Sequence, residues 1–156
     1  MSTVALKDLA ALQDCDLGYS SWVGIDQSRI DQFASTTGDR QWIHVDPQRA
    51  RRGPFGTTIA HGYLTLSLVS GFLLELLDVA GAASAINYGL DRVRFPAPVP
   101  VGSRVRGHGH LLRVIERAES VQTTTRITVE REGGSKPVVV ADVLTRFVAV
   151  SDVEAS

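Results

Sequence analysis

Gly62-Tyr63-Leu64-Thr65-Leu66-Ser67-Leu68-Val69-Ser70-Gly71-Phe72-Leu73-Leu74-Glu75-Leu76-Leu77 is the most apolar stretch of the chain, and its surroundings decide the fold. Apolar residues fall on nearly every face at helical spacing. That predicts a helix over about 59–79, wrapped on most of its sides. Gly71 and the small residues of 80–83 let backbones approach near its second half and its end. A membrane span is the alternative for such a run, but His61, Glu75 and Asp78 interrupt it. One charge near the centre of a spanning helix costs at least about 2.5 kcal/mol, so a buried core helix is the better reading.

The flanking sequence supplies the wrapping. Residues 85–95 alternate in the manner of a strand, and a proline-rich crossover at 96–102 blocks strand pairing locally. A long strand follows over 104–116, in which Gly107 and Gly109 permit a bend or bulge. Val121, Thr123, Thr125, Ile127 and Val129 share one face of the next strand, 132–135 is a turn, and 138–149 is a final β-branched strand. On the N-terminal side, 18–25 reads as a short strand. Asp26 caps a helix with Ile30, Phe33 and Ala34 on one face, and Gly38 ends it. Asp46-Pro47 opens a single turn over 47–52. The whole is an α+β arrangement, an antiparallel sheet curled around one long helix, usually called a hot dog. It forms one domain over 1–156, with a core of about 18–150. The edge strand such a sheet leaves open is most simply covered by a second copy, giving a homodimer.

Composition narrows the function. The 156 residues carry a net charge of -1, with neither a basic stripe for nucleic acid nor a polybasic membrane patch. Cys15 is the single cysteine, a small half-buried hydrophobe by expectation; it forbids an intrachain disulfide and fits a reducing compartment. Lys7, Asp8, Asp14 and Asp16 break the N-terminus, where no signal peptide is visible. The expected location is the cytoplasm, without membrane insertion.

Two motifs carry chemistry. Asp39 and His44 lie five positions apart in what reads as a loop after Gly38. Histidine titrates near neutral pH unaided, and partial burial raises an aspartate towards it. Two such groups gripping one water can take a proton from it and deliver one to the α carbon of a conjugated thioester, on the same face of the alkene. That help is worth about 10²–10⁴-fold in rate. Gly62 opens the apolar helix, where unpaired N–H groups suit a developing oxyanion and no Cβ obstructs the approach. Each residue has a plainer reading: a turn carboxylate for Asp39, a hydrogen-bonded core histidine for His44, close packing for Gly62. His61 is read as ordering the loop by hydrogen bonding. Arg49, Arg51 and Arg52 form a cationic cluster that can meet the phosphates of a coenzyme A tail, or simply a solvated turn. His108 and His110 share a strand face, but no Cys or carboxylate sits at a companion spacing, so no metal is expected.

Gly38-Asp39-Arg40-Gln41-Trp42-Ile43-His44 and Phe55-Gly56-Thr57-Thr58-Ile59-Ala60-His61-Gly62 resemble the hydratase-2 motif of MaoC-like, (R)-specific enoyl-CoA hydratases. Val93-Arg94-Phe95-Pro96-Ala97-Pro98-Val99-Pro100-Val101-Gly102 resembles their crossover into the next strand. The likeness runs over about 22–150. It implies a hot-dog homodimer that adds water to trans-2-enoyl-CoA, giving (R)-3-hydroxyacyl-CoA. No cofactor is needed beyond the thioester substrate itself. By motif position it implies Asp39 and His44 as the catalytic dyad, the Gly62 N–H as oxyanion donor, and Ser70 as a site-lining serine. The family usually has Asn-Pro where this chain has Gln41-Trp42. Gln41 keeps an amide, so the change bears on loop geometry and acyl-chain preference more than on the reaction.

Two further functions stay open at the level of sequence. A hot-dog thioesterase would share scaffold and substrate, but commonly mounts its carboxylate on the long helix. Here Glu75 and Asp78 lie near that helix's far end and the Asp/His pair precedes it. A non-catalytic acyl-CoA-binding or dehydratase-partner subunit would keep Gly62 and dispense with Asp39 and His44.

Overall fold

In the computed structural model, which describes residues 3–150, Asp26 and Gly38 bound the first helix as the sequence predicts. The Asp26 carboxylate accepts from the Arg29 N–H at 2.8 Å, at the start of α1 (Gln27–Thr37). Gly38 ends the helix with φ 80°, a left-handed geometry that a side chain would strain. Two single turns follow, α2 (Trp42–Val45) and α3 (Pro47–Ala50), the second capped by Asp46.

The apolar helix, α4 (Gly62–Leu76), is shorter than expected at both ends. At its start, 59–61 are held extended by the crossover: the Ala60 N–H donates to the Val99 carbonyl at 2.8 Å and the Val101 N–H to Thr58 at 2.9 Å. The crossover therefore pairs where proline was expected to prevent pairing, because Val99 offers a carbonyl, which prolines also have, and Val101 keeps the N–H that its proline neighbours lack. At the other end, β4 (Asp78–Ala80) lies parallel to β1 (Thr3–Ala5).

The main sheet comprises β2 (Cys15–Tyr19), β3 (Val23–Ile25), β5 (Ala82–Arg94), β6 (Ser103–Arg117), β7 (Ser120–Arg131) and β8 (Val139–Ala149). Its order is β2-β6-β7-β8-β5, antiparallel throughout, with β3 also pairing with β6. The single strand expected over 18–25 is thus two. Gly18 takes φ 79° at a register shift, and Ser20 exchanges bonds with Gly107. The core also starts earlier than residue 18, since Leu9, in a 3-10 helix over Leu6–Leu12, is wholly buried.

Phe72, Leu73, Val105, Ile127, Val129 and Val139 are central to the core. Each such side chain contributes roughly 1.5–3 kcal/mol on burial. Against β7 the irregularity of β6 lies at Leu111/Arg113, its pairing with β2 shifts between Asp16 and Gly18, opposite Gly109, and the two β6 glycines have a further role. They let the helix approach. A Cβ on Gly107 would sit 2.9 Å from Phe72, and one on Gly109 would sit 2.9 Å from Leu76. The expected wrapping is also incomplete, because Tyr63 is 70% and Leu74 63% exposed. This open face of α4 is accompanied by exposed Ile86, Tyr88 and Leu90 on the edge strand β5. No helix among the described residues is long and apolar enough to cross a membrane.

Candidate active site

His44 lies in the single helical turn α2 rather than in a loop, because the Gln41 carbonyl accepts its N–H at 2.9 Å. The turn is anchored by Trp42. Its ring edge fills the space over Gly53, where a Cβ would come within 2.8 Å, and the Arg49 guanidinium covers the ring at 4.5 Å. This is how the chain accommodates Trp42 at the motif's unusual position. The turn drives the His44 ring inward, where it is buried. Its Nδ1 is 2.7 Å from the Ile59 carbonyl, which can only accept. Nδ1 therefore carries the proton and Nε2 the lone pair, the form a base requires. Burial pushes the His44 pKa below its usual 6.5; the bond to Ile59 and the nearby Asp39 pull it back, and His61 adds to the lowering. The ring is neutral near pH 7.

Gly62 is the first residue of α4, and no side chain caps that helix. A Cβ there would meet the Phe95 ring at 3.1 Å, so bare backbone faces this space. His44 and Gly62 together line a cavity of about 290 Å³, with Ile59, Thr65, Phe95 and Val99. Asp39 is exposed and forms no part of that wall. It nevertheless comes close: one nitrogen or carboxylate oxygen from each of Asp39, His44 and His61 lies within 4.8 Å of the others. His61 is buried, with its ring stacked on His44 at 3.8 Å between centroids and 25° between planes. Its Nε2 is 2.9 Å from the Asp39 backbone carbonyl.

Such spacing raises the question of a metal ion. Each ring gives one nitrogen to a backbone carbonyl, and nearly parallel rings hold their lone pairs in separate planes. A zinc ion needs nitrogens about 2.0–2.1 Å away along converging lone pairs, which this stack does not offer. The cluster suits gripping a water between a carboxylate and an imidazole, beside first-turn N–H groups that favour negative charge.

The remaining sequence candidates scatter. Ser70 accepts from the Asn87 side chain at 3.2 Å and lines a second, larger cavity of about 640 Å³ with Phe33, Tyr63, Leu66 and Leu90, apart from His44. Gln41 is exposed, and its backbone N–H reaches the Asp39 carboxylate at 3.3 Å. Arg49 is committed to Trp42, while Arg51 and Arg52 are exposed. His108 and His110 each meet a carboxylate that sequence spacing does not reveal: Asp16 at 2.7 Å and Asp14 at 2.9 Å, supplied by the N-terminal segment through pairing with β6. Glu75 accepts from the Ser21 N–H at 2.7 Å and Asp78 from the Thr3 hydroxyl at 2.6 Å, so both carboxylates on and after α4 hold the N-terminal segment. Sequence reasoning missed Phe95, Thr65 and the Ile59 carbonyl as parts of the site. The one signal for Phe95 was its place beside the crossover prolines.

Comparison with known proteins points to one family. Residues 10–132 match the model of the MaoC-like domain. The chain is 52% identical to 3-hydroxyacyl-thioester dehydratase Z of Mycobacterium tuberculosis, covering 93% of this chain and 97% of that one. It is 44% identical to nodulation protein N of Rhizobium leguminosarum bv. viciae, covering 93% and 92%. The solved structure of the R-hydratase PhaJ1 from Pseudomonas aeruginosa superposes with TM-score 0.70 and 27% identity over 85% of this chain and 82% of that one.

Proposed function

Since this chain belongs to the MaoC-like family and is an enzyme of its dehydratase/hydratase class, we propose that it interconverts trans-2-enoyl-CoA and (R)-3-hydroxyacyl-CoA by adding or removing water. The observation that carries this reading is the convergence of Asp39 on His44, whose Nε2 the Ile59 carbonyl leaves unprotonated. In the hydration direction, a water held between the two loses a proton to this pair as its oxygen attacks the β carbon. Charge flows to the thioester oxygen, which the Gly62 N–H stabilises, and the α carbon then takes a proton from the same pair. Removal of one such oxyanion donor typically costs about 3 kcal/mol of barrier.

Engagement of Glu75 and Asp78 in structural bonds weighs against the thioesterase alternative, which needs a free carboxylate on that helix. A second copy is the proposed cover for the open face of α4 and the β5 edge, making a cytoplasmic homodimer. The test offers crotonyl-CoA and follows the conjugated enoyl-thioester absorbance. Loss of absorbance without thiol release is expected, and Asp39→Asn or His44→Ala should lower turnover about 10²–10⁴-fold. Thiol release would transfer the reading to a thioesterase. No reaction at any chain length would make the chain a binding subunit.

A further inference from the structure

The residues that the proposed reaction brings together sit on segments of unequal firmness. His44 is fixed by its helical turn and by Ile59, and Gly62 by α4. Asp39 belongs to 39–41, which is neither helix nor strand. Its other hydrogen bonds are long: its N–H reaches the Thr37 hydroxyl at 3.4 Å, and its carboxylate accepts from the Gln41 N–H at 3.3 Å. The next residue, Arg40, reaches Ser35 only at 3.4 Å. Distances at this end of the range are weak bonds. Among the described residues, the single short tether on residue 39 is the 2.9 Å bond from His61 Nε2 to its carbonyl.

His61 itself is built in firmly. It is 2% exposed, flanked by the Phe33 ring at 5.0 Å and the His44 ring at 3.8 Å. Because a carbonyl only accepts, Nε2 must carry the ring proton. Nδ1 then holds a lone pair that is buried with no partner among the described residues. An unsatisfied buried acceptor destabilises a fold, and a phenylalanine of similar shape would remove it. A residue that serves packing alone has no reason to keep that nitrogen; one that must place a donor against the Asp39 carbonyl does. The same residue immediately precedes Gly62 in the chain.

We propose that His61 is a positioning residue that ties the Asp39 backbone to the start of α4. Asp39, His44 and the Gly62 amide then keep one geometry through the reaction. This rests on the hydratase reading for its activity arm only. Three variants separate the cases: His61→Phe keeps volume and ring contact without the donor, His61→Gln returns a donor near Nε2, and His61→Ala removes both. His61→Phe should keep or raise the melting temperature and leave KM within about threefold. Its kcat should fall about 10²-fold, the usual consequence of a misplacement near 1 Å. His61→Gln should recover most of that loss.

Phe and Gln variants of equal activity, or a His61→Phe enzyme as fast as wild type, would overturn the proposal. Should His61→Phe not fold, His61→Gln against His61→Ala decides it in the same way. An arm independent of turnover is the ¹⁵N spectrum of the imidazoles, in which His61 must appear as the Nε2–H form. The Nδ1–H form would remove the tether even in an active enzyme, whereas a wild type inert towards crotonyl-CoA would remove the function and leave the tether standing.

Discussion

Substituting Gly62 by alanine separates packing from chemistry at the start of α4. The new Cβ lies 3.1 Å from the Phe95 ring, a few tenths of an ångström too close. Phe95 is 42% exposed, so its ring has room to move aside. Alanine is about 1 kcal/mol better than glycine in a helix interior, and the smaller part of that gain felt at this first helical position offsets some of the contact. The net change in stability should therefore stay within about 1 kcal/mol, a shift of about 2–4 °C in Tm for a chain of this size. The same methyl group stands in the cavity shared with His44, where the proposed mechanism brings the thioester oxygen to the N–H. Displacing that oxygen by about 1 Å should cost about 10²-fold in kcat/KM. Thermal denaturation and initial rates with crotonyl-CoA, measured on the same preparation, read both quantities. A Gly62→Ala enzyme folded like wild type and within about threefold of its activity would refute the assignment of the oxyanion site to this amide.

Acid should impair both rate and stability through His44. Its folded pKa lies below 6.5, chiefly from burial, so between the folded and unfolded values the unfolded chain binds more protons. The stability contribution of neutral His44 is complete above about pH 6.5 and is lost as pH falls through the folded value. The acid limb of kcat/KM should likewise lie below 6.5, and a limb centred above 7 would contradict it. Gly107→Ala should cost about 1–3 kcal/mol by overpacking against buried Phe72, whereas Gly89→Ala, with nothing within 4 Å of its Cβ, should leave Tm almost unchanged. Urea denaturation ranks the two, and equal effects would remove the close-approach account of β6. Sedimentation equilibrium should return twice the 16.8 kDa chain mass; a single chain mass would leave the open face of α4 without its proposed cover.

Much of this architecture was legible because its signals are local. Asp26 and Gly38 mark the ends of α1 by side-chain chemistry and backbone handedness, and the alternation from Val121 to Val129 marks a buried strand face. The features that escaped are tertiary. The ends of α4 are set by bonds from the crossover and by β1, neither of which periodicity within 59–79 can register. Leu9 sits among Ala5, Leu6, Ala10, Ala11 and Leu12, and only the fold singles it out by burying it completely. Gly107 and Gly109 suggest a flexible strand, and their role appears only when Phe72 and Leu76 arrive from a distant helix. In the site, the spacing of Asp39 and His44 was readable, but the tautomer was not. It depends on the Ile59 carbonyl, a backbone atom that no residue type announces.

The central claim is that a single water, held by Asp39 and His44 together, supplies the hydroxyl, and that the same pair returns the proton. Hydration of crotonyl-CoA in deuterium oxide, followed by NMR assignment of the relative configuration at the α and β carbons, tests it directly. The account predicts deuterium and hydroxyl on the same face of the former alkene, with R configuration at the β carbon. Anti addition would require donor and base on opposite faces and would contradict it.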